Sequence, residues 1–394
     1  MGRSQPAPAS SQTVADRAGS PGRRDVLRAG LLAGVVAALH ACGPPRLSTR
    51  YGRLGPPDAN GLQLPAGYRS RVVARTGQRV GTTPYVWHQA PDGGRCFAAP
   101  GGWVYVSNSE VDVVGGVGMV RFDNAGAIVD ARRLLDGTRR NCAGGHTPWG
   151  TWLSCEEVAT GSVFEVDPLG VRPPVTHPGM GRFMHEGAAV DGPRRTVYMS
   201  EDAIDGLLYR YRYAQAGDLS SGVLEAARVD RGVVSWLPVP DPSASTRPTR
   251  YQVAGATPFR GGEGIWFEGN VLNLATKFDD RIWSYDVVSG RLTVLYDWTT
   301  NPLPVLRGVD NLCRRGRDLF VCEDMSTLRF PADPELCVVE PDGLTTVFLR
   351  AVGHRTSELT GAAFNPAGNR LYVSSQRGTN GTGVTFEITG PFPS

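Results

Sequence analysis

Lysine and net charge are what this sequence has least of. Of its 41 cationic side chains, only Lys277 is a lysine. Residues 1–41 hold five arginines and two aspartates, which account for the whole net charge of +3 and leave the rest of the chain neutral. Because a surface that binds nucleic acid needs an excess of positive charge, the composition excludes that class of protein.

The sequence also lacks an apolar run long enough to cross a bilayer as a helix. The uncharged run at residues 29–39 fits the core of an export signal instead. Arg23 and Arg24 precede this run, and paired arginines of this kind indicate the Tat route, which exports folded proteins. Residues 39–42 then resemble a lipobox whose Cys42 would be acylated, although a histidine replaces the usual small residue before the alanine.

These features divide the chain into three parts. We predict a Tat-type signal with a possible lipobox over residues 1–42, a tether over residues 43–61 and a single domain over residues 62–394. The domain is expected to work outside the cytoplasm, either as a cell-surface lipoprotein or as a secreted protein.

A short run of alternating apolar and polar residues recurs six times. The copies lie at residues 103–109, 151–157, 196–202, 271–277, 318–324 and 371–377, and a second alternating run follows each copy. Alternation of period two with β-branched and aromatic residues is typical of strands, and repeats of this kind indicate a propeller. We therefore predict an all-β fold, a six-bladed β-propeller with a central metal site, in which residues 62–75 supply the outer strand that closes the ring.

A polar residue stands 13 to 18 positions before the penultimate residue of each copy: Asp92, Cys142, Glu186, Glu263, Asp310 and Glu358. In a propeller the first strand of each blade lines the central channel and the second runs antiparallel beside it, so these residues and the acids at the strand ends would meet at one mouth. Converging carboxylates repel one another unless cations neutralise them, and hard oxygen ligands suit Ca²⁺. The thiol adds a soft ligand that favours a transition metal such as iron or zinc. Alternatively, the cysteine forms a disulfide and the acids are solvated.

Arginines recur shortly before these polar residues, at positions 140, 182, 260, 307 and 355. A ring of guanidinium groups would suit a phosphate substrate, because the planar fork binds its oxygens in pairs; the same arginines could instead pair with neighbouring acids and hold loops. Lys277 replaces an acid in the fourth copy, where it either offsets the acids or holds an anionic substrate. Neither an HExxH metal motif nor a GxSxG elbow is present.

The stretch RRNCAGGHTPWGTWLSCEE, residues 139–157, resembles the PhoX-type alkaline phosphatases. The resemblance extends through GRFMHEGAAVD, VYMSED, RGGEGIWFEGN, GVDNLCRRGRDLFVCED and ELTGAAFNPAGNRLYVSSQ, which cover most of residues 85–377. It implies a Tat-exported six-bladed propeller whose centre holds iron and calcium and which cleaves phosphate monoesters.

By motif, the resemblance implies a thiolate ligand to iron at Cys142. It also implies metal-binding carboxylates at Glu156, Glu157, Glu186, Glu263 and Glu358, with Asp310, Glu201 and Glu323 as further members. The chain departs from the family at SSQRG, where a His-Pro pair is expected after the glutamine, and this places Arg377 where it could alter substrate contacts.

We therefore expect an extracytoplasmic phosphatase that hydrolyses phosphate monoesters with calcium and iron as cofactors. Arg260, Lys277 and Arg377 are expected to hold the charge that develops on the phosphoryl group. The expected partner is a small phosphorylated substrate, and the chain is expected to be a monomer that meets a membrane only through a lipid anchor at Cys42. Two alternatives stay open: a calcium-dependent lactonase-like or esterase-like propeller hydrolase, and a non-catalytic surface lipoprotein stabilised by metal.

Overall fold

The computed structural model describes residues 50–302, 304–326 and 332–393. Strands dominate this part of the chain, which contains three short 3-10 helices and no α-helix. None of its helices is long and apolar enough for a membrane span. The predicted signal over residues 1–42 lies outside the described residues.

The strands bear out the predicted all-β class. In chain order they are β1 (Leu62–Gln63), β2 (Arg69–Arg75), β3 (Pro91–Ala99), β4 (Gly102–Ser109), β5 (Gly115–Asp123), β6 (Ile128–Thr138), β7 (Asn141–His146), β8 (Trp152–Glu156), β9 (Val163–Val166), β10 (Val175–Thr176), β11 (His185–Asp191), β12 (Thr196–Glu201), β13 (Leu208–Gln215), β14 (Asp218–Asp230), β15 (Val233–Pro238), β16 (Gly262–Glu268), β17 (Val271–Thr276), β18 (Arg281–Asp286), β19 (Arg291–Asp297), β20 (Val309–Arg315), β21 (Asp318–Glu323), β22 (Glu335–Val339), β23 (Thr345–Ala351), β24 (Leu359–Phe364), β25 (Arg370–Ser375) and β26 (Val384–Thr389). The 3-10 helices are Pro178–Met180, Thr249–Tyr251 and Lys277–Asp279.

These strands form five sheets in a propeller-like arrangement. Three sheets have four strands, in the orders β3-β4-β5-β6, β10-β9-β8-β7 and β2-β26-β25-β24, and one has five, β1-β23-β22-β21-β20. The fifth sheet has nine strands, β11-β12-β13-β14-β15-β19-β18-β17-β16. The prediction of six separate blades therefore needs correction, because the pairing of Val233 in β15 with Arg291 in β19 joins two antiparallel meanders into one sheet.

Six strands form a closed ring of neighbours at the centre: β3 contacts β7, which contacts β11, and the order continues through β16, β20 and β24 back to β3. Each of the six has a β-bulge at the same end, where its register with the next strand shifts. A bulge bends a strand and redirects a side chain, so all six strands turn residues toward the same mouth.

Glycines let these inner strands approach closely. A Cβ atom on Gly145 of β7 would lie 1.8 Å from the carbonyl oxygen of Ala188 in β11, and one on Gly264 of β16 would lie 2.6 Å from the carbonyl oxygen of Asp310 in β20. Only glycine fits such contacts between backbones. The channel is consequently narrow, and side chains at the bulges are brought close together.

Residues 62–75 supply the outer strand of the last sheet through β2, as predicted, whereas β1 at the start of this segment joins a different sheet. β2 pairs with β26 from Arg69↔Thr389 to Arg75↔Val384, and β1 adds to the outer edge of β23. Arg71 in β2 binds Glu387 in β26 through Nε at 2.8 Å and Nη2 at 2.9 Å. The outer strand of the last sheet is thus held by side chains as well as by backbone.

Apolar clusters fill the spaces between neighbouring sheets, where tyrosines, phenylalanines and valines of facing strands are fully buried. All six cysteines of the described residues are buried and free. Cys142 accordingly forms no disulfide, and its thiol is available as a ligand.

Candidate metal centre

The bulges of the inner strands carry the first set of converging side chains. Five of the six bulges begin with an acid or a cysteine, and we call these residues the inner ring: Asp92, Cys142, Glu186, Glu263 and Asp310. The bulge in the sixth strand begins with Gly361. All five inner-ring residues are at least 92% buried, so their charges are largely removed from water.

A second set lies immediately beyond the ends of the strands that pair with the inner strands. These residues, which we call the second ring, are Glu110, Glu157, Asp202, Lys277, Asp324 and Gln376. Gln376 donates hydrogen bonds to Asp92 and Glu110, and the Lys277 ammonium lies 2.7 Å from Glu263. The second ring therefore contacts the inner ring around the channel.

Ligand atoms from the two rings form three overlapping groups, each with its atoms within 4.8 Å of one another. The groups are Asp92 with Glu110 and Cys142, Cys142 with Glu157 and Glu186, and Glu186 with Glu263 and Asp310. Because Cys142 and Glu186 are each shared, the groups form one continuous cluster of carboxylate oxygens and a thiol.

Burial and mutual repulsion disfavour the charged forms of several groups in this cluster. Burial, followed by repulsion from Glu263 and Asp310, raises the pKa of Glu186 well above its ordinary value. Burial and the neighbouring Glu110 do the same to the pKa of Asp92. Burial and the charge of Asp92 raise the pKa of the Cys142 thiol. These groups can be ionised together only if cations lie among them.

The surroundings of Glu186 show whether the cluster could hold a metal ion. Its side chain is 1% exposed, and neither carboxylate oxygen has a hydrogen-bond partner among the described residues. A buried carboxylate without a partner is costly, and native proteins satisfy such groups. Two free oxygens beside a thiol and further carboxylates are a donor set that fits both calcium and a transition metal.

Three cations border the cluster. Lys277 lies between Glu263 at 2.7 Å and Asp324 at 3.5 Å, and Arg140 Nη2 lies 2.7 Å from Glu110 and 2.8 Å from Glu157. Arg377 Nη1 lies 2.8 Å from Glu358. Within the described residues, these side chains offset only part of the negative charge of the two rings.

A network of amides fixes the strand that carries the thiol. Asn108 donates to the carbonyl oxygens of Cys142 at 2.9 Å and Ala143 at 2.8 Å, and its own oxygen accepts from Trp152 and Ser154. These bonds hold β4, β7 and β8 together at the bulge. The position of the Cys142 sulfur is thus set by the blade rather than by a loop.

Three of the predicted ligands lie at strand ends and take part in hydrogen bonds within the blades. Glu156 accepts backbone N–H groups of Arg139 at 2.9 Å and Ser162 at 3.1 Å. Glu201 and Glu323 likewise accept backbone N–H groups, from Leu207 at 3.1 Å and from Arg307 at 2.8 Å respectively. None of the three joins the central cluster within the described residues.

The other predicted residues fall in two places. Cys142, Glu157, Glu186, Glu263 and Asp310 are brought together in the cluster. Glu358 is buried at the mouth, bound to Arg377, and is not in a ligand group of the described residues. Of the predicted phosphate-binding residues, Lys277 is in the second ring, and Arg377 is the residue after Gln376 of that ring. Arg260 is exposed, and its backbone oxygen accepts a hydrogen bond from the N–H of Phe278.

Three acids that were not predicted as ligands, Glu110, Asp202 and Asp324, lie in the second ring, each one residue beyond a strand end. Asp92, which its recurrence had placed at the mouth, lies in the inner ring. Placing the ring position at the second residue of Glu156–Glu157 in every copy would have identified Asp202 and Asp324 but not Glu110, which lies one residue beyond the first copy. A separate group, Glu323 with Glu335 and Cys337, lies off the axis and is already occupied by backbone N–H groups and Arg350.

Comparison with known proteins gives two kinds of result. A model of the family described as alkaline phosphatase PhoX matches residues 127–163 and 159–281, which confirms the resemblance found in the sequence. A search of curated proteins found no match. Among solved structures, Pseudomonas fluorescens PhoX in complex with vanadate, a transition state analogue, is similar with a TM-score of 0.70 and 16% identity, covering 86% of this chain and 97% of that chain.

A second solved structure with a related shape is a gluconolactonase from Xanthomonas campestris. It has a TM-score of 0.48 and 13% identity and covers 86% of this chain and 98% of that chain. At 16% identity the Pseudomonas fluorescens structure is informative about the fold alone.

Proposed function

From the confirmed resemblance to the PhoX alkaline phosphatases, we propose that this protein is a metal-dependent phosphatase that hydrolyses phosphate monoesters outside the cytoplasm. The observation that carries the proposal is Glu186, a fully buried carboxylate whose oxygens have no protein partner in the described residues, at the centre of a cluster that includes a thiol. We also propose that the nine-stranded sheet represents two blades of a six-bladed propeller, joined at their outer edges.

We propose calcium and iron as the metals. Cys142, Glu157 and Glu186 form the ligand group suited to iron, because it contains the soft thiol, while Glu186, Glu263 and Asp310 form an all-oxygen group suited to calcium. When bound, such ions supply Lewis acidity that neutralises the phosphoryl oxygens. Asp92 and Glu110 extend the oxygen ligands on the other side of the thiol.

The cationic side chains have a separate task in this proposal. Lys277 and Arg377 hold the phosphoryl oxygens at the mouth, where Lys277 already faces an acid of each ring and Arg377 faces Glu358. Arg260 is exposed, its backbone oxygen accepts from the residue after Lys277, and we propose that its side chain approaches a bound ester. Arg140 remains paired with Glu110 and Glu157 and orients these two carboxylates.

The thiol provides the test. In Cys142→Ser, iron content is expected to fall to background and turnover of an aryl phosphate to fall by about 100-fold or more, because the soft ligand is lost. Metal content of the purified full chain is measured by mass spectrometry and turnover by release of the phenol.

Cys155→Ser is the matched control. Cys155 is also buried and free, but it lies in the apolar cluster of its blade and in none of the ligand groups. This variant should keep its iron. Retention of iron and turnover by Cys142→Ser would contradict the assignment of the thiol, and a wild-type protein that binds metals but cleaves no phosphate ester would contradict the phosphatase function.

A further inference from the structure

The residues that directly follow the second ring differ in character from both rings. We call them the collar: Val111, Val158, Ala203, Phe278, Met325 and Arg377. Five of the six are apolar, whereas the two rings beneath them are almost entirely polar. A substrate that places its phosphoryl group among the rings must place its leaving group at the level of the collar.

Phe278 is the most exposed apolar member of the collar. Its side chain is 49% exposed, and its ring makes no aromatic or cation–π contact and joins no apolar cluster in the described part of the chain. The ring covers Gly261: a Cβ atom there would lie 2.5 Å from Phe278 Cδ2 and 3.2 Å from Asp202 Oδ1. The phenyl group of Phe278 therefore lies next to Asp202, a member of the second ring, and one side of it faces solvent.

The segment that carries Phe278 is held firmly. The backbone N–H of Lys277 donates to Gly261 at 2.8 Å, that of Phe278 donates to Arg260 at 3.2 Å, and Asp279 accepts from Thr276 at 2.5 Å. Asp280, at φ 48°, then accepts the N–H of Gly308 at 2.6 Å. Because the backbone is already fixed in this way, only the side-chain rotamer of Phe278 has to be ordered when a ligand covers the phenyl group.

From this arrangement we infer that Phe278 is a specificity-determining residue and that the preferred substrates are phosphate esters with a planar, apolar leaving group. Such a group covers the exposed face of the phenyl ring while the phosphoryl group lies beside Lys277. Aromatic contact of this kind adds to the free energy gained by burying apolar surface. The inference rests on the proposed phosphatase function and adds the class of ester to it.

The test measures binding rather than turnover. The metal-loaded full chain is titrated with phenylphosphonate and with methylphosphonate, which share the phosphonate group and differ in the apolar substituent. Phe278→Ala is expected to reduce the preference for phenylphosphonate, the ratio of the two Kd values, by about tenfold. Phe278→Leu, which keeps apolar bulk without the ring, should lie between this variant and the wild type.

Val294→Ala is the matched control, because Val294 is 45% exposed on the outer strand β19, away from both rings. Its preference should equal that of the wild type. An unchanged preference in Phe278→Ala overturns the inference even if the enzyme cleaves phosphate esters. Conversely, a protein with no turnover of any ester contradicts the proposed function, while the ratio of Kd values still decides the role of Phe278.

Discussion

At the scale of single residues, neighbouring acids have opposite roles. Glu156 is the last residue of β8 and accepts two backbone N–H groups inside its blade, whereas Glu157 lies within a ligand group at the channel. Side chains alternate in direction along a strand, so a difference of one residue changes which face an acid occupies.

This pair yields a prediction that separates fold from function. Glu156→Gln should lower the free energy of unfolding by about 1.5–3 kcal/mol, because the amide replaces a charged acceptor of two N–H groups, while metal content is retained. Glu157→Gln should lose metal, and its free energy of unfolding should equal that of the wild type when both are compared as chelated proteins. Denaturant unfolding and metal analysis of both variants check this, and the reverse pattern would contradict the placement of the second ring.

The sequence identified individual ligand residues where an acid or a cysteine recurs at the same place in successive copies. Cys142, Glu186, Glu263 and Asp310 were proposed as ligands from their recurrence before each strand end, and the structure brings them together. Glu110 was missed because it follows the first copy, which ends in Asn-Ser rather than in two acids. The direction of a strand-end side chain depends on hydrogen bonds to distant backbone, which the local sequence does not specify.

At the scale of elements, the bulged inner strand is the unit that positions the site. Alternation in the sequence predicted the strands themselves, but not the bulges, which depend on close contact between strands of different blades. The pairing of β15 with β19 was likewise unforeseen, because β15 (Val233–Pro238) lies outside the six recurring runs. Contacts with neighbouring strands therefore determine the bulges and the strand pairing, which the alternation of residues in the sequence does not specify.

The narrow spacing of the inner strands predicts the effect of adding one methyl group. Gly145→Ala should lower the free energy of unfolding by about 3 kcal/mol, because the new Cβ would clash with the carbonyl oxygen of Ala188 and force β7 away from β11. Metal content should fall with it, since β7 carries Cys142.

Gly55→Ala is the control for this substitution. A Cβ atom on Gly55 would lie 3.4 Å from the carbonyl oxygen of Leu64, and this glycine does not have a positive φ angle. Its stability should change by no more than about 0.5 kcal/mol. Equal unfolding temperatures for the two alanine variants in thermal melts would show that the inner strands tolerate wider spacing.

At the scale of the whole molecule, the channel brings repelling charges from several blades to one place. The pKa values of Asp92, Glu186, Glu263 and Glu358 are all raised well above their ordinary values, in each case first by burial and then by neighbouring acids. A carboxyl group whose folded pKa is raised stabilises the fold below its unfolded pKa, and this contribution is lost as the pH rises through the folded pKa.

The metal-free protein should therefore become less stable as the pH rises from about 5 toward 9. Each such carboxylate contributes about 1.4 kcal/mol of destabilisation for every pH unit between its unfolded and folded pKa values. Thermal unfolding of chelated protein across this range measures the effect, and added calcium should flatten the profile. A chelated protein whose melting temperature rises with pH would show that the rings are not buried as described.

The pairing of β2 with β26 has a further consequence for how the protein is made. The strand at residues 69–75 finds its partner only at residues 384–389, so more than 300 intervening residues must be synthesised before the last sheet can form. Until then, β2 lacks its partner strand, and an unpaired strand edge is open to aggregation. Closure of the ring of sheets is accordingly a late step in folding.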